Sequence, residues 1–301
     1  MKLTELFKAK KFALTSEVGP PKGWQTQKML EEIECVRGKV AALNVTDLQS
    51  AAMRLGSLVT CRILLDKDFE PILQITTRDR NRLSLQSELL GAAAFGIKNI
   101  LCLTGDHPVM GDHPDAMPVF DLDSVSLLYA ASTLMNGKDL SGNELEGEKP
   151  DFCLGCVVNP GADPLEPQLI KLKKKIKAGA RFVQTQAVYE PDKFAVFMEK
   201  VRKVVGDIPV MAGVVLLKSA GMAKFMNKNV AGVHVPDKFI EEMTFPKGTP
   251  EGKKKEKSVE IGVRLVKELT PLCQGIHFMP LGWDDCVAGI IDRLLNGRAN
   301  H

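Results

Sequence analysis

The chain has 301 residues, 45% of them hydrophobic and 26% charged, with a net charge of +3. That composition suits a soluble globular protein with a large core. It argues against a nucleic-acid partner, because no basic tract is interleaved with aromatics. No segment is long and apolar enough to span a membrane and no apolar signal core is present, so a cytoplasmic protein is expected.

In chain order, residues 2–10 read as a short amphipathic leading helix. Phe12–Val18 is a strand stopped by Gly19-Pro20-Pro21, with Glu17 at its end. A helix over 26–37 carries Met29, Ile33 and Val36 on one side at helical spacing. Val40–Asp47 is the second strand, ending in Thr46 and Asp47. A helix over 51–64 leads to the third strand, Pro71–Thr77, in which Gln74 and Thr76 share a face. Arg78 to Asn81 opens the next helix, which runs to a stop at Gly96. The fourth strand, Lys98–Leu103, ends in Thr104-Gly105-Asp106-His107-Pro108. Gly105 permits a sharp turn there, and Pro108 disfavours helix at His107. A carboxylate, Asp106, therefore stands just past a strand's C-terminal end, where α/β proteins bind ligands. Taken alone, Asp106 reads equally well as the cap of a turn.

A loop over 109–120, a helix over 121–135 and a polar, glycine-bearing loop over 137–150 follow. Phe152–Val158 is the fifth strand, and 164–179 is a helix whose core stripe is Leu169, Leu172 and Ile176. The sixth strand, Arg181–Gln186, sets Gln184 and Gln186 on a face that would otherwise be apolar. A helix over 191–205, a seventh strand Pro209–Val215 and a short helix over 221–226 come next. An inserted loop around 229–250 holds a small helix of its own. A long charged helix over 251–272, the eighth strand Gln274–Pro280 and a helix over 284–295 close the chain. Eight strands alternating with helices in nearly equal units predict the α/β class and a single-domain (β/α)8 TIM barrel over residues 1–301. An open doubly wound sheet is the competing arrangement; it would usually carry a GxGxxG turn after the first strand, and none is present.

The seven cysteines are odd in number and mostly lie in apolar runs, which favours reduced, buried thiols. Cys153 and Cys156 form a CxxC, but their surroundings read as strand, so the two side chains point to opposite faces. No paired histidines or second CxxC complete a zinc site, and no metal is expected.

In such a barrel the C-terminal strand ends converge on one mouth. Glu17, Thr46, Gln74, Thr76, Asp106 and Gln186 all fall at or near that rim. His277 is weighed as a rim residue too, with a satisfied core histidine the favoured reading. Two carboxylates among amides and hydroxyls suit a flat heterocycle rich in donors and acceptors. Arg78, Lys175 and Lys218 could supply cations for phosphate groups.

These residues resemble those of the methylenetetrahydrofolate reductases, the flavin-dependent barrel enzymes of one-carbon metabolism. The resemblance spans nearly the whole chain. Its markers are Ser16-Glu17 followed by Pro20-Pro21, the Leu103-Thr104-Gly105-Asp106 turn, the helix end from Leu172 to Ala180, and Thr185-Gln186. It implies the catalytic barrel without the large C-terminal regulatory region of some eukaryotic members. It implies Glu17 as general acid and Asp106 beside both flavin and pterin, with Gln186 and Trp283 at the folate. Thr46, Gln74, Thr76, Thr104, Gly105 and Lys175 form the implied flavin contacts. Four positions depart from the family: Thr104 replaces the usual arginine of an Arg-Gly-Asp turn, which removes a cation near the flavin, Gln74 replaces a common histidine, Trp283 a common substrate-contacting arginine, and Ala220 an aromatic. The implied cofactor is a flavin, FAD ahead of FMN, with NAD(P)H as electron donor. The implied partners are the folate and either a second copy of the chain or a companion redox subunit. The implied reaction protonates N10 of 5,10-methylenetetrahydrofolate and delivers hydride to give 5-methyltetrahydrofolate. The alternatives are a flavin-housing subunit fed by a partner protein, and a pterin-binding barrel methyltransferase.

Overall fold

Eight parallel strands close on themselves in sequence order in the computed structural model, which describes residues 1–296. They are β1 (Ala13–Val18), β2 (Ala42–Val45), β3 (Pro71–Thr76), β4 (Asn99–Leu103), β5 (Cys153–Val158), β6 (Phe182–Ala187), β7 (Val210–Val215) and β8 (Gly275–Met279). The ring closes where β8 pairs with β1, with Ala13 opposite Gly275 and Thr15 opposite His277. Strands buried on both faces need apolar side chains inside and out, which is why β7 reads as a continuous apolar run; β3 is as fully buried but carries Gln74 and Thr76 into the cavity.

The helices are α1 (Leu3–Lys8), α2 (Gln27–Ile33), α3 (Ser57–Leu65), α4 (Arg82–Ala94), α5 (Ser124–Met135) and α6 (Glu166–Lys177). They continue with α7 (Pro191–Val205), α8 (Ala220–Asn229), α9 (Asp237–Glu242), α10 (Glu251–Leu269) and α11 (Asp284–Asn296). No helix among the described residues is long and apolar enough to cross a membrane.

Two cores result. The larger lies between the strands and the helices. The smaller fills the lower barrel, where Ile72, Leu101, Cys153, Phe182 and Met211 meet under Leu3 of α1. Space there is shared out by size. A Cβ on Gly155 would lie 2.2 Å from the Phe182 ring, so the glycine on β5 is what admits the phenylalanine of β6.

Three helix starts differ from the sequence expectation, each for a local reason. The helix expected from residue 51 begins at Ser57. Leu48, Ser50 and Ala51 instead hold left-handed backbone, with φ of 47°, 56° and 57°. The carbonyl of Ala51 is pressed against Gly111, where a Cβ would come within 1.9 Å. The helix expected from Arg78 begins at Arg82, because Asn81 Oδ1 accepts from Ser84 N at 3.0 Å and caps it there. Asp123 Oδ1 likewise caps α5 by accepting from Val125 N and Ser126 N.

All seven cysteines are free. Cys153 belongs to the core inside the barrel and Cys156 to the core outside it. Among the described residues no group of three or more side chains could hold a metal ion. Cys153→Ser and Cys156→Ser should therefore each leave metal content, read by elemental analysis, unchanged. Each should cost about 1–3 kcal/mol in denaturant unfolding, the penalty for burying a hydroxyl without a full set of partners. Zinc or iron lost on either substitution would contradict the placement.

Candidate active site at the barrel mouth

A cavity of about 420 Å³ opens at the C-terminal ends of the strands. Its floor and walls mix apolar side chains (Leu101, Leu103, Val157, Met279) with amides, hydroxyls and charged groups. That size and mixture are typical of small-molecule sites.

Glu17 projects into the cavity from β1 and is 11% exposed. Its Oε1 accepts from Gln49 Nε2 at 3.0 Å. Its Oε2 lies 3.9 Å from Nε2 of His277 on β8. Burial raises the Glu17 carboxyl to about 7, and hydrogen bonds from Gln49 and Gln74 pull it partly back. Asp106 has no part in this shift: it stands exposed at the rim, while Glu17 is taken out of water by the barrel itself. Burial also lowers His277 to about 3, so the ring is neutral and the two groups form no ion pair. His277 is both things the sequence left open. It lines the cavity, and its Nδ1 is satisfied within the core, 3.1 Å from Thr15 Oγ1.

Gln74, Thr76, Thr104, Gly105, Asp106, Lys175 and Gln186 also line the cavity, as the sequence led one to expect. Several are tied down. Thr76 donates from both N and Oγ1 to Asp47 Oδ2, each at 2.8 Å. Thr104 Oγ1 accepts from Ser124 N at 3.2 Å. Gly105 holds φ of +89°, and a Cβ there would crowd the side chains of Thr76 and Arg78 at 3.1–3.2 Å. Lys175 Nζ donates to the Val157 carbonyl at 2.7 Å, and burial lowers its pKa. Gln186 Oε1 accepts from the Ala187 amide at 3.0 Å, which leaves its NH2 group to the cavity.

Two expected site residues are not there. Trp283 is buried among α10 and α11, where its Nε1 donates to Glu251 Oε1 at 2.9 Å and Lys218 stands 5.2 Å above the ring. It follows Gly282 in a turn after β8 that carries the indole outward, away from the mouth. Thr46 is buried, lies outside the cavity lining and has a hydroxyl with no hydrogen-bond partner. Lys218, weighed as a phosphate cation, donates instead to the Leu281 carbonyl.

The structure adds residues the sequence did not single out, and gives Arg78, weighed as a phosphate cation, a different task. Gln49 reaches Glu17 from the left-handed loop after β2. Asp47 binds Arg80 through two contacts, 2.8 and 3.1 Å, and Arg80 pairs in turn with Glu88. Arg78 is 2% exposed and ties three loops together through Asp79 and the carbonyls of Asp106 and Leu48. Gln168 and Lys171 of α6 join Lys175 on one wall. Their spacing of three and four residues on a helix was a legible signal; the loop that presents Gln49 left none.

Comparison with known proteins follows the same lines. A family model described as methylenetetrahydrofolate reductase matches residues 2–295. Methylenetetrahydrofolate reductase 1 of Schizosaccharomyces pombe is 26% identical over 239 residues, which cover 77% of this chain and 37% of that protein. The probable methylenetetrahydrofolate reductase (NADPH) of Caenorhabditis elegans is 24% identical over 232 residues, 75% of this chain and 32% of that one. The chain thus spans about a third of the length of these curated relatives. Among solved structures, an uncharacterized protein from Clostridium thermocellum that binds two copies of 5-methyl-5,6,7,8-tetrahydrofolic acid has a TM-score of 0.64 at 16% identity. That match covers 97% of this chain and 98% of the other. Oxaloacetate acetylhydrolase gives 0.53 at 12% identity, covering 100% and 86%. At these identities both structures bear on the fold alone.

The raised pKa of Glu17 carries a stability cost that pH should reveal. Below about 4.5 the carboxyl is protonated in folded and unfolded chains alike. Between 4.5 and about 7 only the unfolded chain ionises, so stability falls as pH rises through that window. Glu17→Gln removes the ionisable group and keeps an acceptor for Gln49. It should stabilise the protein at pH 8 by up to about 3 kcal/mol, since one pKa unit is about 1.4 kcal/mol, and by almost nothing at pH 4.5. Equal stability of variant and wild type across this range, in denaturant titrations, would show that Glu17 is not held neutral.

Proposed function

The chain belongs to the methylenetetrahydrofolate reductase family, and from that premise we propose that it reduces 5,10-methylenetetrahydrofolate to 5-methyltetrahydrofolate with a flavin bound in the barrel mouth. The observation that carries this reading is a carboxylic acid held neutral to about pH 7 inside a ligand-sized cavity. A carboxyl so poised is suited to give up a proton at neutral pH. A protein of the same fold binds 5-methyl-5,6,7,8-tetrahydrofolic acid, which supports a folate as the ligand.

The lining fits a flavin. Leu101, Leu103, Val157 and Met279 offer apolar surface to a flat ring. Gln74, Thr104 and the Gly105 backbone offer hydrogen bonds to its edge, and Lys171 and Lys175 are cations for a phosphate. We take the cofactor to be FAD, with FMN the alternative. When bound, the flavin supplies the hydride that the methylene carbon receives.

The side chains do the remaining work. Glu17 delivers its proton to N10, the bond from N10 to the methylene carbon breaks, and that carbon stays on N5 as a cationic iminium. Gln49 holds the carboxyl in place through Oε1, so Oε2 is the oxygen left to carry the proton. Asp106, exposed at the rim, offers a carboxylate to the pterin's amino group and to the cation at N5. Gln186 presents its NH2 group to the pterin oxygen. The apolar walls keep water from the iminium, which would otherwise hydrolyse.

The electron source divides two readings. NAD(P)H acting directly is the first. A companion protein is the second, favoured by Trp24, Met53, Val109, Met110 and Met117, all exposed on the segments that follow β1, β2 and β4. Lys22 and the Met53 amide both bind Asp112, which draws these loops together. Large exposed apolar groups gathered in one place are characteristic of a docking surface. Turnover with NADH or NADPH as sole reductant distinguishes the two.

The purified protein should be yellow and should release intact FAD on denaturation, identified by mass spectrometry. A colourless preparation that takes up neither FAD nor FMN would overturn the reading. With flavin bound, Glu17→Gln should slow folate reduction by the pre-reduced protein about 100- to 10,000-fold, the usual loss on removing a general acid. Reduction of the flavin by its donor involves no N10 and should run near the wild-type rate. Stopped-flow absorbance reads both half-reactions. Folate reduction within a few-fold of wild type would remove Glu17 from the mechanism.

A further inference from the structure

Below the mouth the barrel is crossed by a polar layer that the reaction just described leaves unused. Asn44 and Gln184, on strands β2 and β6, exchange two amide hydrogen bonds. Asn44 Nδ2 donates to Gln184 Oε1 at 2.8 Å, and Gln184 Nε2 donates to Asn44 Oδ1 at 3.1 Å. Gln184 Nε2 also donates to Thr15 Oγ1 at 3.5 Å, and Thr15 Oγ1 lies 3.1 Å from His277 Nδ1. All four side chains are at least 96% buried. Buried polar groups in apolar surroundings are retained when each has a partner, and these do.

The layer has a direction. Gln184 turns its NH2 toward Thr15, and the pair with Asn44 holds the amide in place. Thr15 Oγ1, already an acceptor, has one proton of its own, and His277 Nδ1 is the partner within reach. We propose that this chain of hydrogen bonds makes His277 a positioning residue for the acid, by holding Nδ1 as an acceptor so that the ring's single proton sits on Nε2 and faces Glu17. The proposal rests on the reading of Glu17 as the proton donor.

Two consequences follow for Glu17. An imidazole that already carries a proton on Nε2 could take a second only by becoming a cation, which its burial strongly opposes. The Glu17 proton is therefore kept for the substrate and not parked on the ring. Once the proton has gone, the carboxylate finds an N–H donor 3.9 Å below it, and about 1 Å of movement completes a hydrogen bond. The other charged groups of the lining are engaged elsewhere or stand at the rim. Asp47 is held by Arg80, Arg78 by Asp79 and Lys175 by the Val157 carbonyl, Lys171 stands 3.9 Å from Asp123, and Asp106 is exposed.

The ring nitrogens report directly. In protein labelled with 15N at histidine, with His277→Gln identifying the signals, Nε2 should be protonated and Nδ1 bare from pH 5 to 9. Thr15→Val should mix the two tautomers, and Thr15→Ser, which keeps the hydroxyl, should retain the wild-type pattern. In single-turnover folate reduction by the pre-reduced protein, His277→Leu should be roughly tenfold slower, the order expected for one lost hydrogen bond to a charged group. His277→Gln, which restores an N–H at the Nε2 position, should return to within a few-fold of wild type. A proton on Nδ1, a ring that titrates near 6.5, or a His277→Leu rate equal to wild type would each overturn the proposal. The tautomer is read without any turnover. A wild-type folate rate in Glu17→Gln would therefore mark failure of the mechanism, and a wrong tautomer would mark failure of the positioning role.

Discussion

Closure of the last strand onto the first is the constraint from which the site follows. Thr15 and His277 are 262 residues apart, and they meet because β8 pairs with β1 at that level. The same closure brings Gln184 across the barrel to Asn44, 140 residues away. Alternation along each strand then decides what each end contributes. Ala13, Thr15 and Glu17 on β1 rise through the interior as apolar plug, polar layer and cavity wall, and Gly275, His277 and Met279 do the same on β8.

The polar layer separates two environments. Beneath it the barrel is packed with apolar side chains and plugged by α1. Above it the cavity is partly apolar but open, and Glu17 sits at the boundary. That position explains the sign of its pKa shift. Burial acts on the charged form more strongly than two amide donors can offset, so the carboxyl stays protonated to about 7. The arrangement costs stability at higher pH, as expected of a group placed for chemistry and not for packing.

The loops around the mouth are fixed by buried charge. Arg78 and Arg80 leave β3 in succession and serve different neighbours. Arg78 binds carbonyls of the loops after β2 and β4, and Arg80 clamps Asp47 at the end of β2. Removing one partner from such a buried pair would strand the other charge, so these residues hold geometry with little tolerance. The backbone strain at Leu48, Ser50 and Ala51 is confined to the loop these arginines hold, and that loop carries Gln49 to Glu17.

Much of this was written locally. Strand and helix periods, and the count of eight, determined the barrel because each element's pattern depends only on its own residues and its two buried faces. Position at a strand's end marked Glu17, Gln74, Thr76, Asp106 and Gln186, which line the mouth, but also Thr46, which does not, and the spacing of Cys153 and Cys156 was enough to part them. The tertiary structure alone decided the rest. Trp283 turned outward to meet Glu251 and Lys218, groups distant in sequence. Gln49 reached the acid only because a strained loop was pinned by Gly111 and Arg78. The direction of the His277 proton depends on hydrogen bonds that join β1, β2, β6 and β8. A side chain's face can be read from its neighbours along the chain, whereas its partners, its burial and hence its charge are set by residues that meet it only after the barrel has closed.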